Sequence, residues 1–207
     1  MRFLTNFTNF LSVMFAFLEK FPVKIMPIQL KDMVTLVSRT GRHLQRYDDK
    51  GLRQVVGCIP YRYREAKQSS PLTDGILNEE LLEVLVISAQ NGQGMLFPKG
   101  GWETTDESME KAAMRETREE AGVTGDIERK LGRWEYKSKR RSIVHEGYMF
   151  PLRVKAELES WPEKNIRERR WVSVTEAREI CPQWWMREAL EEFVRRQTNL
   201  KCRGSEE

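Results

Sequence analysis

The chain has 207 residues, enough for one sizeable domain and short for two. Hydrophobic residues make up 40% and charged residues 32%, so it can bury a core and stay soluble. A net charge of +4 is too small to mark a nucleic-acid binder by itself, and two histidines, His43 and His145, cannot build a multi-histidine metal site. Cys58, Cys181 and Cys202 are far apart and form no CxxC pair, which points to reduced thiols in an intracellular compartment.

The chain opens with MRFLTNFTNFLSVMFAFLEKF, whose apolar run from Phe10 to Leu18 is too short to span a bilayer. No A-x-A-like cleavage site follows it, and it is poor in arginine and serine for an organelle presequence. Residues 1–37 are therefore expected to be an N-terminal extension that docks on the domain or frays, with organelle targeting as the alternative. The expected location is cytoplasmic, the alternative mitochondrial. No stable membrane insertion is expected.

SRTGRHLQRYDDKG is polar and basic and predicts a loop or linker. RQVVGCIPYRY, rich in β-branched and aromatic residues, predicts a strand. AKQSSPLTDGILN is punctuated by Pro71 and Gly75 and predicts a loop. LLEVLVISA is a strong strand signal, and NGQG turns the chain into MLFP, a short strand and possible hairpin partner. KGGW predicts a glycine turn leading into a helix, with Thr104 and Glu107 at capping-box spacing ahead of it. Beyond Gly122, strands are expected at KLGRWEYKS, GYMFPLRVKAEL and RRWVSV, with Pro151 marking an edge or a bulge. TEAREICPQWWMREALEEFVRRQ is split by Pro182 into a short helix and a longer one with Leu190, Phe193 and Val194 on its apolar face. The order predicts an α/β fold: a mixed sheet sandwiched between helices. A folded domain is expected over 38–198, with 199–207 as a flexible tail.

The helix after KGGW crowds Glu116, Glu119 and Glu120 onto one side. Like charges at i,i+3 and i,i+4 cost a few tenths of a kcal/mol per pair, so something must offset the repulsion. A divalent cation would, because carboxylates are hard oxygen ligands for Mg²⁺ and leave coordination sites for phosphate oxygens. A solvated acidic face, with Lys111 and Arg115 as ion-pair partners, is the competing explanation.

The spacing around these residues runs from Gly101 through Glu107 and Arg115-Glu116-Thr117-Arg118-Glu119-Glu120-Ala121-Gly122-Val123. It resembles the signature of the Nudix hydrolases, GX5EX7REUXEEXGU, with U a bulky apolar residue. Thr117 departs from the first U, so weaker burial is expected there. The resemblance implies a Nudix-type α/β/α sandwich and a hydrolase that uses Mg²⁺ or Mn²⁺ to cleave a phosphoanhydride bond. It implies Glu116, Glu119 and Glu120 as metal ligands and catalytic acids, with Arg115 holding them. It leaves open whether one of these acids or a residue outside the motif serves as general base. Gly101 and Gly122 would permit the loop–helix–loop backbone.

The likeness extends from about Ser38 to Arg195, through SRTGRHLQRYDDKGLRQVVGCIPYR, FPKGGWE, WPEKNIRERRW and WWMREALEEF. These stretches are similar to plant Nudix hydrolases related to the diphosphoinositol polyphosphate phosphohydrolases, which also cleave diadenosine polyphosphates. The implied partner is a small phosphorylated molecule, and no nucleic acid is expected. Basic residues cluster at Arg39, Arg42, Arg46 and Arg53, in KSKRR (Lys137, Lys139, Arg140, Arg141), and at Arg167, Arg169 and Arg170. Arginine clamps phosphate through two parallel hydrogen bonds and lysine acts as a point charge. Lys99, Arg53, Lys139, Arg140, Arg141 and Arg167 are the candidate substrate contacts. Against this, KSKRR alone is more often a solvated loop, and the loop Gln90–Gly94 lacks the basic residue of the animal enzymes. ADP-ribose or NADH is the alternative substrate. A non-catalytic phospho-ligand or RNA-binding module is the alternative of another class. Trp134, Trp171, Trp184 and Trp185 are expected in the core, and Trp102 near the metal.

Overall fold

Residues 38, 41, 43–64, 79–90, 94–138 and 143–202 are described by a computed structural model. The N-terminal extension, the loop AKQSSPLTDGILN and the Lys139–Arg141 cluster lie outside them. Among the described residues eight strands form one mixed sheet: β1 (Arg53–Tyr63), β2 (Leu82–Ser88), β3 (Met95–Leu96), β4 (Lys99–Gly101), β5 (Val123–Ile127), β6 (Gly132–Lys137), β7 (Val144–Glu157) and β8 (Arg169–Ser173). Among the described residues three α-helices accompany them: α1 (Met109–Ala121), α2 (Val174–Ile180) and α3 (Trp184–Cys202).

The long strands β1 and β7 lie side by side in parallel, Arg53 opposite His145 through Tyr61 opposite Arg153. On its other edge β1 pairs antiparallel with β4 near its start and with β2 near its end. The outer edge of β7 is shared in the same way, by β6 over Val144–Met149 and by β5 over Leu152–Glu157. Strand β2 continues the sheet to β3 and β8.

Each face of the sheet carries its own apolar core. Side chains alternate along β1 with the period of two that a pleated strand imposes. Val56 and Cys58 face α1, together with Leu85, Ile87, Phe150 and Leu152. Ile59 and Tyr61 face α3 and meet Trp185, Leu190 and Phe193. The α/β/α sandwich expected from the order of elements is the fold observed. No helix among the described residues is long and apolar enough to cross a membrane.

Several local expectations change. KGGW is not a simple turn: Lys99–Gly101 forms β4, because hydrogen bonding to β1 holds it extended. Strand β5 has no strand signal in the sequence. Its five residues directly after Gly122 include Gly125 and Asp126, poor strand formers that are held by pairing with β7. Pro151 sits in a central strand, at the point where the outer neighbour of β7 changes from β6 to β5. There a missing N–H interrupts neither antiparallel ladder. Trp185 is buried, but its neighbour Trp184 at the start of α3 is 48% exposed, since consecutive helical positions face about 100° apart. Helix α3 runs to Cys202, so helix replaces the first part of the expected tail.

Candidate active site

The helix α1 is built to press one face onto the sheet. Its start is capped by Ser108, whose Oγ accepts from the Lys111 N–H at 3.2 Å; the Thr104 cap expected from spacing is not used. Small side chains, Ala112, Ala113 and Ala121, line the buried face and let the backbone approach β1 closely. Thr117 belongs to this face and is fully buried, contrary to the weaker burial expected. Its hydroxyl donates to the Ala113 carbonyl at 2.8 Å, so its polarity is satisfied inside the helix. Beneath it, Cys58 is buried, and desolvation pushes its thiol up to about 12 while a hydrogen bond with Thr117 acts in the opposite direction.

The end of α1 is fastened more heavily. Gly122 adopts the left-handed conformation (φ 63°, ψ 37°), and its N–H donates to the Arg118 carbonyl at 3.1 Å. Glycine is required twice over, because a Cβ would also lie 2.5 Å from the Trp161 ring. Arg169 donates to the carbonyls of Ala121 (3.0 Å), Gly122 (2.9 Å) and Leu158 (3.0 Å), with its guanidinium carbon 4.1 Å from the Trp161 ring centre. A cation on terminal carbonyls complements the negative end of a helix.

The three glutamates project toward β4 and the β7–β8 loop. Glu116 packs on the backbone of Gly100, where a Cβ would stand 2.0 Å from its Oε2. Glu119 is buried, with Oε2 3.5 Å from the Ser38 hydroxyl and Oε1 3.7 Å from Arg115. Glu120 is buried and held at both oxygens: Oε2 accepts the Lys99 backbone N–H at 2.7 Å, and Oε1 accepts from Arg167. Arg115 donates Nε and Nη2 to the two Asp106 oxygens at 3.0 and 2.9 Å, Nη1 to Glu116 at 2.8 Å, and Nη2 to the Gly101 carbonyl at 3.0 Å. Burial pushes the Glu116 carboxyl up to about 8: Arg115 opposes this, while Glu120 and Glu119 add to it. Burial likewise raises Glu120 against the favourable fields of Lys99 and Arg167.

Among the described residues no three acidic, histidine or cysteine side chains are gathered closely enough to enclose a metal ion. The glutamates share a face, but Arg115 reaches both Glu116 and Glu119, while Glu120 is held by Lys99 and Arg167. The donor set nonetheless fits a hard divalent cation. Three carboxylates stand on one rigid helix, Glu116 lies in a space that only glycine leaves open, and burial makes their shared negative charge costly without a counter-ion. Bringing their oxygens together requires side-chain rotation on a fixed backbone.

The candidate substrate contacts divide. Lys99 is half-buried beside Glu120. Arg53 donates to Gln45 from the start of β1. Lys139, Arg140, Arg141, Arg39 and Arg42 lie outside the described residues. Arg167 is buried and donates to Glu120, Glu163 and the Ser88 carbonyl. Arg46 bonds the Glu103 carbonyl at 3.2 Å and lies over the Trp102 ring at 4.6 Å, and Arg170 pairs with Glu176 at 3.1 Å. Trp102 is half-buried at the end of β4, and its indole N–H has no hydrogen-bond partner among the described residues.

Sequence reasoning missed Asp106, Glu163 and Ser38. Asp106 was open to discovery as an acid between the glycine pair and the helix cap. Glu163 and Ser38 meet only through tertiary folding, at 2.8 Å across 125 residues.

Comparison with known proteins agrees with this geometry. Residues 73–197 match the NUDIX domain model. The chain is 58% identical to Nudix hydrolase 4 of Arabidopsis thaliana, over 97% of this chain and 92% of that one. It is 54% identical to the Arabidopsis protein named Nudix hydrolase 18, mitochondrial, over 84% and 94% of the two chains. It is 30% identical to mouse diphosphoinositol polyphosphate phosphohydrolase 3-alpha, over 63% and 70%. The fold is shared with a C. elegans Ap4A hydrolase in a binary complex, with TM-score 0.52, 20% identity, and 72% and 99% of the chains covered. The helix face bearing three glutamates behind a glycine strand lies inside the stretch that matches the family's domain, and the chain belongs to the Nudix hydrolases.

Proposed function

We propose that the protein is a Mg²⁺- or Mn²⁺-dependent pyrophosphohydrolase acting on diphosphoinositol polyphosphates or diadenosine polyphosphates. The observation that carries the reading is the placement of Glu116, Glu119 and Glu120 on one face of α1, against the Gly100 backbone and under Arg115. These three side chains would hold the cation, which when bound neutralises charge developing at the phosphoanhydride bridge. Arg115, fixed by Asp106, orients Glu116. Lys99 stands beside Glu120, where it would meet a phosphate oxygen. Arg53, Lys139, Arg140 and Arg141 complete the proposed substrate contacts. The name of the mouse relative supports the inositol substrate and that of the C. elegans fold neighbour the dinucleoside one.

One observation favours the second reading, an ADP-ribose or NADH pyrophosphatase. Arg46, Arg53, Arg167, Arg169 and Arg170 all bond within the chain, which thins the supply of cations for a densely phosphorylated ligand. A binding module on an inactive scaffold is disfavoured because every motif glutamate is present.

The test is a turnover panel with Mg²⁺ on purified protein, comparing a diphosphoinositol polyphosphate, diadenosine pentaphosphate, ADP-ribose and NADH. Glu120→Gln should lower turnover at least about 10²-fold, because metal charge stabilisation is worth several kcal/mol. Near-normal turnover in that variant refutes the hydrolase assignment. Arg140→Ala with Arg141→Ala should raise KM more for the polyphosphates than for ADP-ribose; equal effects favour the second reading. Cytoplasmic location stays our proposal, with mitochondrial import the alternative, since a 54%-identical relative is named mitochondrial.

A further inference from the structure

We propose that Arg167 is a positioning residue that orients Glu120 for the metal, and that it does not contact the substrate. The inference rests on the metal-dependent reading above. All three nitrogens of its guanidinium are committed inside the protein: Nε to Glu163, Nη1 to the Ser88 carbonyl at 3.0 Å, and Nη2 to Glu120. Only 7% of the side chain is exposed, so reaching a substrate phosphate would break buried, charge-assisted bonds.

The grip has a defined geometry. Arg167 takes Oε1 of Glu120 while the Lys99 N–H takes Oε2, so the carboxylate is held from two elements at once. A carboxylate offers about four lone-pair positions, which leaves two for a cation in a fixed orientation. Arg167 itself is anchored by the end of β2 and by Glu163 in the β7–β8 loop. That loop is tied to α1, with the Glu163 N–H donating to the Glu119 carbonyl at 3.1 Å and the Leu158 N–H to the Gly122 carbonyl at 2.8 Å. One guanidinium between two buried carboxylates, Glu120 and Glu163, keeps the cluster net negative, as a cation site needs. Removing it would leave two buried acids facing each other, and they would move apart.

The test is direct Mn²⁺ binding to substrate-free protein, followed by the electron paramagnetic resonance of the free ion, alongside kcat and KM at saturating Mn²⁺. Arg167→Lys keeps the charge but loses the fork; Arg167→Met loses both. Each is expected to weaken Mn²⁺ binding about 10- to 100-fold, the usual effect of losing a group that orients a metal ligand, with KM at saturating metal within about twofold of wild type. A raised KM with unchanged Mn²⁺ affinity overturns the proposal and makes Arg167 a substrate contact. Tighter Mn²⁺ binding also overturns it, by making Arg167 a mere competitor for Glu120. Should the Arg167 variants fail to fold, Glu163→Gln frees one arm of the guanidinium and should weaken Mn²⁺ several-fold; unchanged affinity there is equally fatal. Glu120→Gln is the control: wild-type Mn²⁺ affinity in that variant would sink the metal-site reading itself, whatever Arg167 does.

Discussion

Gly100→Ala isolates the chemistry from the fold. A Cβ built on Gly100 lies 2.0 Å from Oε2, 2.1 Å from Cδ and 2.4 Å from Oε1 of Glu116. Moving the nearest oxygen from 2.0 Å to ordinary contact at 3.4 Å displaces the carboxylate by about 1.4 Å. The obstructing atoms are the end of a flexible side chain, so the backbone pairing of β4 with β1 need not change, and a stability loss below about 1 kcal/mol is expected. The cost falls on catalysis, because a misplacement of about 1 Å in a reacting geometry lowers turnover about 10²-fold. Gly57→Ala provides the contrast. Its Cβ would meet the Pro98 carbonyl oxygen at 2.5 Å and the Lys99 Cα at 3.1 Å, atoms of the neighbouring backbone. Forcing those strands apart should cost about 3 kcal/mol of stability. Urea unfolding and Mg²⁺-dependent turnover, measured on both variants, separate the two effects. Gly100→Ala with turnover within about threefold of wild type would refute the placement of Glu116 at the reacting centre.

Asp106→Asn should destabilise the protein by about 3 kcal/mol and lower kcat, because it leaves the nearly buried Arg115 short of its main counter-charge; unchanged stability by urea unfolding would show that Asp106 does not anchor Arg115. Phe193→Ala, which empties a fully buried position between α3 and the sheet, should cost about 3–5 kcal/mol by the same method while sparing KM. Arg195 and then Arg196 hold the half-buried Glu192 carboxyl down, to about 2. A depressed carboxyl stabilises above its ordinary value near 4.5 and loses that contribution as pH falls toward 2. The pair is solvated, so Glu192→Gln should cost less than about 0.5 kcal/mol at pH 7, and nothing near pH 2. An equal deficit at both pH values would contradict the ion-pair explanation.

Much of the fold and part of the site were readable locally. The spacing of Glu116, Glu119 and Glu120 on a helix follows from 3.6 residues per turn, and Gly122 sits where a helix must end in a left-handed residue. The strong strands carried their own period-two or continuous apolar patterns. What the sequence could not decide was which backbone would pair with which. Thus β4 and β5, short and rich in glycine, are strands only because β1 and β7 supply their hydrogen bonds. The same limit applied to the arginines. A cluster in sequence suggested a phosphate cradle, but Arg167 and Arg169 turn inward to the carboxylate and carbonyls of α1, because buried acceptors at the end of that helix require donors. Charge and spacing are properties of the chain; whether a cation meets a substrate or a glutamate is set by burial, and burial exists only in the folded molecule.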